Sequence, residues 1–259
     1  MASQACSNFH KVCTQSRRLA ARTVKYRMST ILAIETSSEL ASAALLHGAV
    51  VTSAEAAGVT THSQSILPMV QDLLAKAGLA LTDCDAIAFG SGPGSFTGVR
   101  TACGIAQGLA YGADLPLLPT VTLLALAQAC HEKTGACDVL AVMDARMGEV
   151  YWAQYRFDRE WQIVIAPSLS VASDVMPHGE VVACGNGLKA YEKDFAARSF
   201  FRAEMKEWVP HAAQIATLGA LAFAQGQGVA AGVAEPLYLR NKVALTTNER
   251  LEKAAKEIV

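Results

Sequence analysis

Several signatures that would settle a function quickly are missing from this 259-residue chain. Its seven cysteines, at positions 6, 13, 84, 103, 130, 137 and 184, form no Cys-x-x-Cys pair and leave an odd one over, which speaks against a disulfide framework and for a reducing compartment. No two of the six histidines stand at the i, i+4 spacing that sets two imidazoles on one helical face, so metal ligation has no support. No apolar run reaches the ~18 residues of a membrane helix. Alanine and scattered Leu, Val and Ile account for the 52% hydrophobic content, and a protein free of the membrane, in the cytoplasm, is expected. A nucleophile elbow of the Gly-x-Ser-x-Gly kind is missing too: Gly90-Ser91-Gly92 and Gly94-Ser95-Phe96 lack a glycine two places after the serine. Ser91, Ser95 and Thr97 therefore read as turn or cap residues.

Acidic residues are absent from the whole stretch before Glu35, whereas Lys11, Arg17, Arg18, Arg22, Lys25 and Arg27 all precede Met28. Residues 1–27 carry no apolar periodicity, and Met28-Ser-Thr-Ile-Leu-Ala-Ile-Glu reads as a beginning. The stretch is either a transit-type leader or translated upstream sequence, a disordered extension in both cases. Without it, 16 bases face 23 acids, a balance of −7. Such a body is poorly suited to hold a polyanion by itself.

What is present centres on Gly90-Ser-Gly-Pro-Gly-Ser-Phe-Thr-Gly98-Val-Arg100, which follows the apolar run Asp85–Phe89 and opens a small-residue helix from Val99 to Ala113. Glycine tolerates close backbone approach and Pro93 fixes its own φ, so Gly92, Pro93, Gly94, Gly98 and Arg100 define a tight structural turn. Backbone N–H groups at a helix start attract anions, yet neither a Walker A lysine nor a Gly-x-Gly-x-x-Gly pattern is there. A phosphate cradle and a plain strand-to-helix connection both remain open. In the helix, Gly104, Gly108 and Gly112 recur every fourth residue. Each costs ~1 kcal/mol relative to alanine, a cost that close approach of the chain's own sheet or of a partner's helix would offset.

Around this turn the element order is readable. Strands are expected at Ile31–Glu35, Leu40–Leu46 and Ala49–Ala56, the last two joined at His47-Gly48. A helix over Ile66–Ala77, capped by Ser63 and closed by Gly78, carries Ile66, Met69, Val70, Leu73 and Leu74 at helical spacing. After the turn come a strand at Leu115–Leu118 and a helix from Thr122 to Glu132. Strands at Val139–Met143, Val150–Phe157, Gln162–Leu169 and Val181–Cys184 follow, then a helix from Asn186-Gly187 through Phe195 and another over Ala212–Gln225. The pattern argues for mixed sheets covered by helices, in two lobes, 28–133 and 134–259, with a disordered tail from about 245.

Five motifs in this order, Ile31-Leu-Ala-Ile-Glu-Thr-Ser37, Thr61-His-Ser-Gln-Ser-Ile-Leu-Pro68, Gly92-Pro-Gly-Ser-Phe-Thr-Gly-Val-Arg100, Met143-Asp-Ala-Arg-Met-Gly-Glu-Val-Tyr151 and Glu235-Pro-Leu-Tyr-Leu-Arg-Asn241, resemble the TsaB (YeaZ) family over Met28–Asn241. The resemblance implies an actin-like α/β fold (ASKHA, with ribonuclease H-like motifs). It also implies a non-catalytic role in making N6-threonylcarbamoyladenosine at position 37 of tRNAs that read ANN codons. The implied partners are the related catalytic subunit TsaD, the ATPase TsaE reached through the TsaB–TsaD complex, tRNA within the complex only, and a second copy when the chain is alone. ATP and magnesium would be used by the complex, with no cofactor bound tightly here and no metal.

Pairing of helices into a bundle, also implied by the resemblance, would place the partner interface at Ile66, Met69, Val70, Leu73, Val99, Gly104, Gln107, Gly108, Tyr111 and Gly112. A weak nucleotide cleft would gather Glu35, Asp144, Gly185 and Asn186. Glu35 departs from the Asp of many family members, and its extra methylene displaces the carboxylate from where it would order water or a cation. The two metal-binding histidines of TsaD fall by eye alignment at Thr122 and Leu126, and its nucleotide-facing glycines near Asp144-Ala145, where side chains would crowd a phosphate. An ATP-using actin-fold phosphotransferase or ATPase is the alternative reading, with a peptidase behind it. His62 reads as a helix-entry residue, and no acid–base dyad stands out.

Overall fold

The computed structural model describes residues 29–56 and 62–240. The 1–27 extension and the tail from about 245 lie outside the described residues.

The first sheet runs β3-β2-β1-β4-β5, from β1 (Thr30–Glu35), β2 (Ala41–His47), β3 (Val50–Ala56), β4 (Ala86–Gly92) and β5 (Leu117–Val121). β1 pairs antiparallel with β2 and parallel with β4. With neighbours on both edges and helices on both faces, every residue of β1 is buried, so it reads as a continuous apolar run rather than an alternation. Pro119 sits in the edge strand β5, where its missing N–H costs no ladder bond.

Helix α1 (His62–Ala77) lays Ile66, Val70, Leu73 and Leu74 on this sheet. Helix α2 (Phe96–Ala113) lays Val99, Ala102, Cys103, Ala106 and Ala110 inward. It begins three residues before the expected Val99 because Ser95 caps it, its Oγ accepting the Gly98 N–H at 3.4 Å.

The second sheet runs β8-β7-β6-β9, from β6 (Asp138–Arg146), β7 (Glu149–Asp158), β8 (Glu160–Val171) and β9 (Val182–Cys184), with β9 parallel to β6. Three antiparallel strands followed by a fourth parallel to the first is also the arrangement of β3-β2-β1-β4. The two lobes are thus the same motif twice, the duplication characteristic of the actin-like fold. Tyr151, Ala153 and Tyr155 share the inner face with α3 (Thr122–Thr134). The helix expected through Phe195 is two short turns, α4 (Gly187–Ala190) and α5 (Glu192–Phe195), broken at Tyr191, whose φ of −122° leaves the helical range.

Helix α3 is apolar on opposite sides. Leu123, Leu126, Ala127 and Cys130 pack on the second lobe, and Ala125 on the first. Helix α6 (Ala212–Ala224) corrects the 133/134 division: Ala212, Ile215, Ala216 and Leu218 pack against Ile31, Ala33, Ala44 and Ala88 of the first sheet. A Cβ on Gly219 would stand 2.6 Å from that of Ala88, so the helix lies this close only because residue 219 has no side chain.

Candidate functional site

The lobes meet across a cleft of about 510 Å³. The β1–β2 loop (Ser37, Ser38, Glu39), the start of α2, the β6–β7 turn and a terminal segment through Arg240 line it. Glu35, at the end of β1, lies beneath the floor and is fully buried. Its Oε1 accepts the Ser37 N–H at 2.5 Å and its Oε2 the Thr122 hydroxyl at 3.3 Å. The Thr122 Oγ1 in turn accepts the Gly92 N–H at 3.1 Å. The extra methylene of Glu35 is housed over Gly90, where a Cβ would lie 2.6 Å from Glu35 Cδ and closer still to Oε2. Burial pushes the Glu35 carboxyl above the ordinary carboxylate range, against the opposing pull of hydrogen bonds from Ser37 and Thr122. A carboxyl so enclosed is poorly placed to order a cation in the cleft.

The glycine turn is filled by the chain's own backbone. Ser95 N–H donates to Ser37 O at 2.8 Å, and the Thr36 hydroxyl donates to Gly98 O at 2.7 Å. A Cβ on Gly94 would stand 2.6 Å from Ser37 Cβ, and one on Gly98 3.0 Å from the Thr36 carbonyl carbon. These glycines let the turn press onto the β1–β2 loop. Gly92 contributes a positive φ of 106°, and Arg100 stacks its guanidinium 3.2 Å from the Phe96 ring centroid.

On the facing lobe, Asp144 Oδ1 accepts the Arg146 N–H at 2.8 Å and the Tyr191 hydroxyl at 3.2 Å, while Oδ2 pairs with the Arg146 guanidinium at 3.1 Å. Asn186 Oδ1 accepts the Asp144 N–H at 3.0 Å, and its Nδ2 reaches across to the Glu39 carboxylate at 3.1 Å. Asp144 and Asn186 therefore line the cleft. Gly185 does not: it is pressed beneath the sheet, where a Cβ would stand 2.7 Å from Leu126 Cδ2 and 3.0 Å from Val142 C. With Glu35 covered and the Asp144 carboxylate already engaged, the residues present do not fit a magnesium nucleotide. Among the described residues no three His, Cys, Asp or Glu side chains gather as a metal site.

The helix residues divide. Ile66, Val70, Leu73 and Val99 are buried in this chain's own core, which corrects their place on an outward face: the apolar stripe of α1 covers the first sheet. Met69 is half-buried against the same core. Gln107 is also drawn inward, its amide donating to Ala231 O at 3.0 Å and Ala234 O at 3.1 Å. Gly104, Gly108 and Gly112 lie on the outside, with no atom of the described residues beyond their own helix within 4 Å of an added Cβ, beside Tyr111 at 85% exposure. Packing of the stripe on its own sheet is thereby excluded. Glu39, Tyr238 and Arg240 were not singled out from sequence, although the last two lie in Glu235-Pro-Leu-Tyr-Leu-Arg-Asn241.

With this geometry in place, relatives can be compared. Residues 52–254 match the family model described as TsaD, tRNA N6-adenosine threonylcarbamoyltransferase. The tRNA threonylcarbamoyladenosine biosynthesis protein TsaB of Escherichia coli K12 is 42% identical over 221 residues, 83% of this chain and 96% of that protein. The Haemophilus influenzae protein of the same name is 38% identical over 226 residues, covering 83% and 94%. Two solved Pseudomonas aeruginosa structures, one described as similar to peptidase YEAZ and one as YeaZ, superpose with TM-scores of 0.77 and 0.75. Each is 40% identical and covers 82% of this chain and all of its own.

Proposed function

Since the chain belongs to the TsaB (YeaZ) family, we propose that it serves tRNA threonylcarbamoyladenosine biosynthesis as a non-catalytic subunit that binds and activates a catalytic TsaD subunit. Its product is the modified adenosine 37 of tRNAs reading ANN codons. In this reading the protein is cytoplasmic and pairs with itself when alone. It reaches TsaE through the TsaB–TsaD complex and meets tRNA only there, and ATP and magnesium are used by the complex. Among the described residues no helix is long and apolar enough to cross a membrane.

The observation that carries the proposal is the bare outer face of α2. Three glycines on one face of a helix are expensive, no contact among the described residues compensates for them, and a second helix can approach such a face closely. The face comprises Gly104, Gly108, Tyr111 and Gly112; the inward residues of α1 and α2 support it from below. The enclosure of Glu35 and engagement of Asp144 favour a supporting over a catalytic role.

Gly108→Leu is the test. Leucine has room in the free chain and is a better helix former by up to ~1 kcal/mol, so the folded variant should be as stable as the parent. Held between two backbones it should weaken TsaD binding by at least ~2 kcal/mol, roughly 30-fold. Unchanged affinity in calorimetry, with circular dichroism showing a folded protein, would remove α2 from the interface.

A further inference from the structure

After a bridge between Val229 and Leu117 and a short turn at Ala231–Val233, the chain crosses from one lobe to the other within a few residues. Its first-lobe anchors are on α2 and the end of β4. Cys103 Sγ donates to Ala234 O at 3.6 Å, Gln107 holds Ala231 and Ala234, and Leu237 N–H donates to Ser91 O at 2.7 Å. The Tyr238 ring then lies 6.2 Å from that of Phe96, with the Arg100 guanidinium against both. Leu239 packs on the second-lobe core. Arg240 ends the crossing in an ion pair with Glu149 of β7, with a further contact to Met147 Sδ at 3.5 Å.

We propose that Glu235–Arg240 is a strap that holds the two lobes together over the cleft, clasped at its far end by the Arg240–Glu149 ion pair. Leu237, Tyr238, Leu239 and Arg240 all line the cleft, so the strap is one of its walls as well as a tie. Among the described residues, the side chains across the cleft mouth add the Asn186–Glu39 hydrogen bond. The two ends of the strap differ in kind. Its first-lobe end is held by backbone and buried amide hydrogen bonds. The second-lobe end is held by the packing of Leu239, by Arg240 against Met147 Sδ and Arg146 O, and by an ion pair whose side chains are 15% and 34% exposed, so water can compete for the pair and salt can weaken it. Release therefore starts at Arg240, runs back through the Leu237–Ser91 backbone bond at the end of β4, stops at the anchors on α2, and lets the lobes pivot about α3, which packs on both. The strap thereby links the helix with the bare outer face to the aperture of the cleft, whatever partner that face takes.

The test uses the full chain with nitroxide labels on Asp72→Cys in α1 and Lys193→Cys in α5, measured against the same chain without added cysteines. Hydrogen exchange at the Leu237 amide is read in parallel. Glu149→Gln should accelerate that exchange about fivefold or more and broaden the interlobe distance distribution toward longer values. The reversed pair Glu149→Arg with Arg240→Glu should restore both. Faster exchange with an unchanged distance distribution would make the segment a surface tail and overturn the proposal. So would unchanged exchange in a folded Glu149→Gln variant, or a reversed pair no closer to the parent than the single change.

Discussion

Gly90→Ala probes the floor of the cleft most directly. An alanine Cβ would lie 2.6 Å from Glu35 Cδ and overlap Oε2, and the carboxyl cannot swing aside freely because Ser37 N–H and the Thr122 hydroxyl hold its two oxygens. Overpacking costs ~1–3 kcal/mol and a buried donor left without its partner ~1–3 kcal/mol, against a gain of ~0.5–1 kcal/mol from replacing glycine within a strand. The net expectation is a loss of roughly 2–4 kcal/mol. Glu35→Asp alone removes a buried methylene and draws the carboxylate away from its donors, a loss of about 1–2 kcal/mol. Combined, the shorter acid vacates the space that the new methyl needs, so the double variant should be at least ~1 kcal/mol more stable than the two single losses predict. Urea denaturation of the four proteins, followed by circular dichroism, gives the coupling. Additivity within ~0.5 kcal/mol, or a neutral Gly90→Ala, would refute the reading that Gly90 exists to house Glu35.

Protonation of the same carboxyl gives a pH dependence. Its folded pKa is raised, so folding favours the protonated form, and this contribution to stability is full below the unfolded value of ~4.3 and lost as pH rises through the folded one. Glu35→Gln should flatten that slope; a parent and variant with parallel profiles would show that Glu35 does not titrate in this way. The isolated chain should show no threonylcarbamoyl transfer to tRNA and little ATP hydrolysis. Substantial turnover by homogeneous protein, abolished by Glu35→Ala or Asp144→Ala, would overturn the non-catalytic reading. If self-association and TsaD binding share the α2 face, added TsaD should convert homodimer to heterodimer in a sizing experiment. A complex that retains the homodimer contact through α2 while TsaD occupies that helix would sink the shared-surface idea.

Much of the fold was legible because its signals are local. The 3.6-residue spacing of Ile66, Val70, Leu73 and Leu74 marks a helix wherever it is placed, and Gly48 and Gly78 punctuate the chain at positive φ. The strand order along the chain followed from the same punctuation. The inward direction of that α1 stripe was not legible, because burial against one's own sheet and burial against a partner demand the same apolar spacing. Glu35 stands out in the first-strand motif and Asp144 in the turn that ends at Gly148. That one is enclosed and the other engaged depends on Thr122 and Tyr191, which no motif joins to them.

By itself, then, the sequence determined the elements, the glycine turn and the two-lobed order, since each rests on backbone preference and periodicity over a few neighbouring residues. Tertiary structure alone decided that α6 returns to the first sheet, that Gly90 lies under Glu35, that Gly104, Gly108 and Gly112 face outward, and that Arg240 reaches Glu149. The physical reason is common to all four. Hydrophobic attraction has no direction, and a helix of alanine and glycine offers nearly the same surface on every side. Only the space left once both sheets are stacked chooses which side is covered and which residues, 55 or 91 positions apart in the chain, come into contact.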